Sequence, residues 1–136
     1  MRITADEYRK TMGKYLGGRY TTSEHDLQKA CVQWFRLKYP RYAKLLMAIP
    51  NGARRTKFER VQVIEEGLVS GVPDLFLAIP NGKAHGLWIE MKNGKAGRVS
   101  DNQTEMMKLL WDQNYECRIA RSFGDFEQII TEYLSW

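Results

Sequence analysis

The chain has 136 residues, 43% of them hydrophobic, and this length and apolar content predict one domain with a single core. No segment approaches the roughly 20 consecutive apolar residues of a membrane span, and the first 20 residues lack the apolar stretch of a secretory signal. These features argue against a membrane or secreted protein and favour a soluble intracellular one, cytoplasmic or nucleoid-associated. The net charge of +5 favours a polyanionic partner.

The charge is unevenly distributed along the chain. Residues 36–60 carry eight basic residues and a single acid, whereas the stretch from residue 122 onwards carries three acids and no base. A basic region of this kind suits a phosphate backbone. The two cysteines, Cys31 and Cys117, lie among apolar residues in no metal-binding spacing, so we expect both to be reduced core residues.

The first half of the chain predicts an arm, a helix, a strand and a short helix. Residues 1–22 form a basic N-terminal arm, and residues 23–136 form the domain. In the domain, Ser23 and Asp26 resemble a helix capping pattern, and the helix that they start ends before Pro40. The next two elements are a strand, 43–49, and a helix, 57–66.

The second half predicts a hairpin, a helix, a strand and a last helix: 74–79 with 87–92, 100–113, 115–120 and 122–136. The turn residues Pro80, Asn81 and Gly82 separate the two hairpin strands. This order of elements implies a mixed sheet flanked by helices, an α/β or α+β sandwich.

Three polar side chains are predicted to meet in this hairpin. Because side chains alternate across a strand, Glu90 and Lys92 face the same way as Trp88, and away from Leu87, Ile89 and Met91. Asp74 starts the preceding strand, which pairs with this one. Two carboxylates and one ammonium group are therefore expected in one pocket.

This combination suits metal-assisted hydrolysis of a phosphodiester. Mg²⁺ prefers oxygen ligands, usually one or two carboxylates with water and substrate phosphate oxygens, and Asp74 and Glu90 supply the carboxylates. The backbone carbonyl of Met91 is a further candidate ligand. The ammonium of Lys92 can orient the attacking water or offset charge that gathers on the phosphate.

A solvated surface with a weak cross-strand ion pair is the alternative interpretation of these three residues. The neighbouring residues argue against it, because the strands around Asp74 and Glu90 are almost wholly apolar. Charges in doubly covered strands are costly unless they are paired or bound to metal.

Three segments together resemble the VRR-NUC family, the virus-type replication and repair branch of the PD-(D/E)XK nucleases, in its stand-alone viral or bacterial form. They are Gly71-Val72-Pro73-Asp74, Trp88-Ile89-Glu90-Met91-Lys92, and Ser100 to Gln103. The resemblance covers about Ser23 to Ala120. It implies an αβββαβ core, dependence on Mg²⁺ or Mn²⁺, and cleavage of DNA.

The resemblance also implies roles for individual residues. Asp74 and Glu90 would hold the metal, Lys92 would be the catalytic lysine, and Gln103 and Glu24 would assist from the flanking helices. For Glu24, a charge favoured by the helix dipole is the alternative to a metal ligand. Gln103 stands three residues after Ser100, as a capping box requires, and it can serve both purposes.

Further basic and polar residues are candidates for DNA contact. Asn51, Arg54, Arg55 and Lys57 follow the first strand, where the alternative is an ordinary solvated turn. Lys95 and Arg98 lie in the glycine-rich loop directly after Lys92, which would bring them beside the phosphates.

The resemblance also implies the function, a structure-specific endonuclease that acts on branched DNA, such as a four-way (Holliday) junction. A homodimer would let two copies meet two strands, with the C-terminal helix as a candidate interface and the N-terminal arm as a DNA contact. The alternatives are a sequence-specific or flap-type nuclease, and a non-catalytic DNA-binding module of the same fold.

Overall fold

The computed structural model describes residues 23–50, 56–95 and 97–135. In these ranges the helices and strands follow one another in the order that the sequence predicts. Their bounds are α1 (Glu24–Lys38), a 3-10 helix (Pro40–Leu45), β1 (Leu46–Ala48), α2 (Lys57–Glu65), β2 (Leu75–Leu77), β3 (Leu87–Met91), α3 (Asp101–Asp112), β4 (Glu116–Ala120) and α4 (Phe123–Tyr133). None of the described helices is long and apolar enough to cross a membrane.

Helix α1 begins at a reciprocal contact between Ser23 and Asp26. The Ser23 hydroxyl accepts a hydrogen bond from the Asp26 N–H (3.1 Å) and donates one to Asp26 Oδ2 (2.8 Å). This satisfies one of the backbone donors that the first turn of a helix leaves free. The helix then buries five residues at helical spacing: Leu27, Ala30, Cys31, Trp34 and Phe35.

The four strands form one mixed sheet in the order β1-β2-β3-β4. The first two pairings are antiparallel, and β3 and β4 are parallel. The crossover between the parallel strands contains α3, as parallel pairing requires a long connection. Leu75 lies opposite Ile89, which confirms the predicted hairpin of β2 and β3.

The two faces of the sheet differ in what covers them. One face carries the buried residues Leu75, Leu87, Ile89 and Met91, which belong to the same core cluster as the buried residues of α1 and α4. The other face carries Phe76, Trp88 and Glu90, and α3 packs against β4 on this side. The Sγ of Cys117 on β4 donates a hydrogen bond to the Met107 carbonyl of α3 (3.6 Å), which ties this helix to the sheet.

Three predicted elements are wrong in their bounds. The strand predicted over 74–79 is only Leu75–Leu77. The segment predicted as a strand over 43–49 begins as a 3-10 helix, Pro40–Leu45, and only Leu46–Ala48 is a strand. Pro40, at the start of the short helix, already has the fixed φ that a helical turn needs. The last helix ends at Tyr133 and not near Trp136.

Helix α4 uses its apolar side chains within the domain. Phe126, Ile129, Ile130 and Tyr133 are almost completely buried. The core already holds those side chains, so only the remaining, more polar side of this helix is left for the dimer contact that the sequence predicts, and that contact stays a prediction.

The remaining expectations of the sequence concern the cysteines and the N-terminal arm. Both cysteines are free; Cys31 is a core residue, whereas Cys117 is only partly buried and is not one. The predicted arm, residues 1–22, lies outside the described residues.

Candidate active site

Asp74 and Glu90 face each other at one end of the β2-β3 pair. Asp74 directly precedes β2, and one step beyond the pairing of Leu75 with Ile89 it lies opposite Glu90. The Met91 N–H donates a hydrogen bond to Asp74 Oδ2 (2.8 Å), which fixes the Asp74 side chain against the neighbouring strand. The hairpin therefore brings the two carboxylates together, as the sequence predicts.

The backbone of Met91 is oriented toward the same place. In an extended strand, the N–H and C=O of one residue point to the same side. Since the Met91 N–H reaches the Asp74 carboxylate, the Met91 carbonyl also faces the β2 side of β3. This orientation is consistent with its predicted role as a backbone ligand.

Glu90 is a buried acid with one oxygen engaged and one free. Only 2% of the residue is exposed. Its Oε1 accepts a hydrogen bond from the Gln103 side-chain amide (3.0 Å) and lies 3.8 Å from the Lys92 ammonium. With both carboxylates ionised, its Oε2 is buried and has no hydrogen-bond partner among the described residues.

The surroundings of Glu90 favour its protonated form when no cation is present. Burial raises the pKa of Glu90 from 4.5 to about 8, helped by a hydrogen bond with Asp74, by the negative charge of Asp74 and by that of Glu24, while Lys92 opposes the shift. A buried carboxylate with these neighbours needs positive charge, and a bound cation would supply it.

Gln103 connects helix α3 to the acid. Its side-chain oxygen accepts a hydrogen bond from the Ser100 N–H (2.9 Å), and the Ser100 hydroxyl accepts one from the Gln103 N–H (3.2 Å), which completes a capping box. The amide nitrogen of the same side chain remains available and donates to Glu90. The two roles that the sequence left open for Gln103 are therefore both structurally possible, and both contacts are present.

Lys92 directly follows β3 and points to the same face as Glu90. Its N–H donates a hydrogen bond to the Ala120 carbonyl (2.9 Å), so the strand pairing with β4 continues at this residue. Its side chain is only 12% exposed. A largely buried ammonium beside a buried carboxylate agrees with the alternation that predicted this pair.

An aromatic pair follows the two carboxylates along this face of the sheet. The rings of Phe76 and Trp88 are stacked, with centroids 4.3 Å apart and planes 24° apart. Gly86 makes room for them, because a Cβ at that position would lie 2.7 Å from the Phe76 ring. The pair forms an apolar flank next to the acids.

Glu24 lies at the exposed start of α1, outside the carboxylate pair. Its charge contributes to the raised pKa of Glu90, so it acts on the site through space. Within residues 23–50, 56–95 and 97–135, no group of three or more His, Cys, Asp or Glu side chains is positioned to hold a metal ion. In these ranges, no third acidic side chain therefore joins Asp74 and Glu90.

Two carboxylates are nevertheless sufficient for one class of cation. Mg²⁺ keeps several waters and commonly uses one or two carboxylates plus substrate phosphates. Once Glu90 has lost its proton, its buried Oε2 has no donor among the described residues; this is the observation that fits such an ion, since an unsatisfied buried acceptor is costly. Asp74, Glu90 and the Met91 carbonyl are the groups that would hold it.

Three of the six candidate DNA-binding residues belong to the described part of the chain, and all three are exposed. Lys95 and Arg98 are exposed on the loop after Lys92, and Lys57 is exposed at the start of α2. Asn51, Arg54 and Arg55 lie outside the described residues.

The sequence analysis did not identify Arg121, which supports the loop after Lys92. Its guanidinium donates hydrogen bonds to the carbonyls of Gly94 (3.1 Å) and Gly97 (2.5 Å). Arg121 stands beside Lys92 only because β3 and β4 pair in parallel in this register, so no local pattern could have identified it.

Comparisons with known proteins agree with this architecture. The family model described as the VRR-NUC domain matches residues 18–124. A solved structure described as a VRR_NUC domain protein has a TM-score of 0.72 at 22% identity, covering 82% of this chain and 87% of the other, which shows a shared fold. A search of curated proteins gives no match. Because the family model spans most of the chain, the protein belongs to the VRR-NUC family, whose core is that of the PD-(D/E)XK nucleases.

Proposed function

We propose that this protein is a divalent-metal-dependent endonuclease that hydrolyses phosphodiesters in branched DNA. Membership of the VRR-NUC family implies a nuclease and hence a DNA substrate, and nucleases of this family generally use divalent metals. The observation that carries the metal-dependent part is the buried pair of Asp74 and Glu90, in which Glu90 Oε2 lacks a partner among the described residues.

Each polar residue of the site has a separate task in this proposal. Asp74, Glu90 and the Met91 carbonyl hold Mg²⁺ or Mn²⁺, which when bound lowers the pKa of a coordinated water and shields the phosphate charge. Gln103 holds the Glu90 carboxylate in place through its amide. Lys92, within 4 Å of Glu90, provides the positive charge that faces the developing charge on the phosphate.

Glu24 and the basic residues act outside this centre. Glu24 contributes negative charge that favours the cation, without a direct place in the carboxylate pair. Lys57, Lys95 and Arg98, together with Asn51, Arg54 and Arg55, bind the DNA backbone on either side of the scissile phosphate. The proposed location is intracellular, where the DNA substrate is found.

Specificity for a four-way junction requires two active sites, because two strands must be cut. We therefore include a homodimer in the proposal. Leu109 and Trp111 of α3 are more than half exposed and are candidates for the contact between copies, since the apolar side of α4 is in the core. Light scattering coupled to size exclusion would measure the mass of the protein in solution.

A nuclease panel tests the activity. The protein is incubated with a mobile four-way junction, a flap, a single strand and a linear duplex of the same sequence, each in Mg²⁺, Mn²⁺ or EDTA. We expect metal-dependent cleavage that favours the branched substrates. Equal cleavage of linear duplex at one sequence would support a sequence-specific nuclease, and preference for the flap would support a flap nuclease.

The matched control for this panel is Asp74→Asn. Asparagine keeps an oxygen that can accept the Met91 N–H but removes the charge needed for the cation, so we expect DNA binding without cleavage. If the unmodified protein binds DNA in every condition and cuts none of the substrates, the protein is a non-catalytic binding module and the proposal is wrong.

A further inference from the structure

A groove beside Asp74 is not used by the chemistry described above. It has a volume of about 400 Å³ and extends between α2 and the segment that joins α2 to β2. This volume lies in the range of about 300–1,000 Å³ that is typical of small-molecule sites. Its walls are mainly aliphatic: Ile49, Pro50, Ile64, Leu68, Val69 and Val72.

Helix α3, whose Gln103 side chain contacts Glu90, also contacts the wall of the groove. The Asn102 side-chain amide donates a hydrogen bond to the Ser70 hydroxyl (3.2 Å). Gly71 packs so closely on α3 that a Cβ there would lie 2.4 Å from the Asn102 carbonyl oxygen. Because Gln103 follows Asn102 and donates to Glu90, the start of α3 contacts both the groove wall and the Glu90 carboxylate.

One cation and one acid lie among these aliphatic walls. Arg60 lines the groove from α2, and Asp74 lines it from the side of the active site. No described residue forms an ion pair with Arg60. Lys57 precedes Arg60 by three residues and therefore lies on the same side of α2. The positive charges of Arg60 and Lys57 thus lie at an aliphatic groove that Asp74 of the carboxylate pair also lines.

We propose that this groove holds one unpaired nucleotide of the DNA substrate next to the scissile phosphodiester, with Arg60 binding its phosphate. This inference rests on the proposed function and adds a means of choosing the substrate. A base within a duplex is stacked and paired, so its entry would cost unstacking energy, whereas a base at a branch point is already free. Aliphatic walls suit the flat faces of a base, and Arg60 suits the phosphate.

The aliphatic character of the exposed walls supports this occupant. Ile64 is 60% exposed and Val69 is 53% exposed, although both border a groove beside charged residues. A branched DNA substrate would cover them with a base, while its backbone would meet Arg60 and Lys57. The groove therefore distinguishes an unpaired base from a paired one, and does not distinguish one base from another.

Binding of 2-aminopurine DNA in EDTA tests the proposal without cleavage. One probe carries the fluorescent base unpaired at a branch point, and a second carries it paired in a duplex of the same sequence. We expect the emission to change with the first probe only, and we expect tighter binding to that probe. Ile64→Glu should reduce this preference about tenfold, because it places a charge where the base would lie.

Gln62→Glu is the matched control, because Gln62 is exposed on the same helix, does not line the groove, and lies two residues from both Arg60 and Ile64, on another side of the helix. Both variants change the net charge equally, so a general electrostatic loss affects them alike. Both positions are exposed, and circular dichroism checks that each variant is folded. Equal preference for the branched probe in Ile64→Glu and Gln62→Glu would overturn the proposal.

Arg60→Ala gives an independent measurement. We expect the slope of log K against log salt concentration to fall by about one for the branched probe, because one phosphate contact is lost. Lys83→Ala, in the exposed turn at the opposite end of the hairpin, should leave this slope unchanged. An unchanged slope in Arg60→Ala would remove the phosphate contact from the proposal.

These results are separable from those on the nuclease activity. Metal-dependent cleavage with no groove-dependent preference would leave the nuclease intact and the nucleotide site wrong. No cleavage in any condition, with the preference still measurable in EDTA, would leave the nucleotide site intact and the proposed nuclease activity wrong.

Discussion

The amide of Gln103 donates a 3.0 Å hydrogen bond to Oε1 of Glu90, while the oxygen of the same side chain accepts from the Ser100 N–H. One side chain thereby joins the start of helix α3 to the buried acid of β3. A hydrogen bond to a charged group contributes roughly 1.5–3 kcal/mol, and a helix cap contributes about 1 kcal/mol. Variants can separate these two contributions.

Gln103→Glu should keep the cap and lose the contact with Glu90. Glutamate at this position can still accept from the Ser100 N–H, but it has no amide to donate and brings a like charge next to Glu90. We expect cleavage to slow by about 10- to 100-fold, which is the rate equivalent of the lost hydrogen bond. The measurement is single-turnover cleavage of a branched substrate.

Ser100→Ala is the control for this experiment. It removes the hydroxyl that caps α3 and leaves the Gln103 amide free to reach Glu90. We expect lower thermal stability with most of the activity retained. Similar losses of activity in both variants would mean that Gln103 acts only by capping the start of the helix.

Lys92→Met should slow cleavage while retaining metal binding. The methionine preserves the apolar stem in a position that is only 12% exposed, and it removes the ammonium 3.8 Å from Glu90. Removing one group that stabilises developing charge costs about 10²- to 10³-fold in rate. We expect a lower kcat at saturating Mn²⁺, with Lys83→Met, an exposed lysine in the β2-β3 turn, close to the unmodified protein. Unchanged turnover would exclude Lys92 from the reaction.

The metal-free protein should become less stable as the pH rises from about 5 to 8. In the folded state Glu90 keeps its proton until about pH 8, whereas in the unfolded chain it loses the proton near its ordinary value of 4.5. Between these values the folded state binds more protons, so the free energy of unfolding falls with rising pH, by up to a few kcal/mol from this one group.

Melting temperatures measured from pH 5 to 9 in EDTA would show this dependence. Glu90→Gln should flatten the slope, because glutamine cannot ionise. Added Mg²⁺ or Mn²⁺ should stabilise the protein most at the high end, where the ion no longer competes with a proton. A slope in EDTA that is the same in Glu90→Gln and the unmodified protein would assign the effect to other groups.

Gly71→Ala should destabilise the protein more than Gly82→Ala. Both glycines have positive φ angles, +88° and +81°, so each alanine carries the same backbone strain of about 1–2 kcal/mol. A Cβ at Gly71 would also lie 2.4 Å from the Asn102 carbonyl oxygen, whereas at Gly82 nothing lies within 4 Å. Chemical denaturation compares the two variants. Equal losses would show that α3 can move away without cost.

The sequence by itself was sufficient to predict most of the helices and strands, and to predict that Glu90 and Lys92 lie side by side. The Ser100 and Gln103 capping pattern was sufficient to predict the start of α3, because a capping box is local. Alternation along β3 was sufficient to predict that Glu90 and Lys92 share a face, because successive side chains of a strand point to opposite sides. The apolar setting of these strands predicted that the charge would be buried.

The sequence predicted that Asp74 and Glu90 meet in a hairpin, but the exact register of that hairpin depends on packing between distant segments. The support of the basic loop by Arg121 needs the parallel pairing of β3 with β4, which no local pattern specifies. The burial of the apolar side of α4 also needs the assembled core. Local pattern specifies which way a side chain points, and only tertiary structure decides what it meets, because those contacts join residues far apart in the chain.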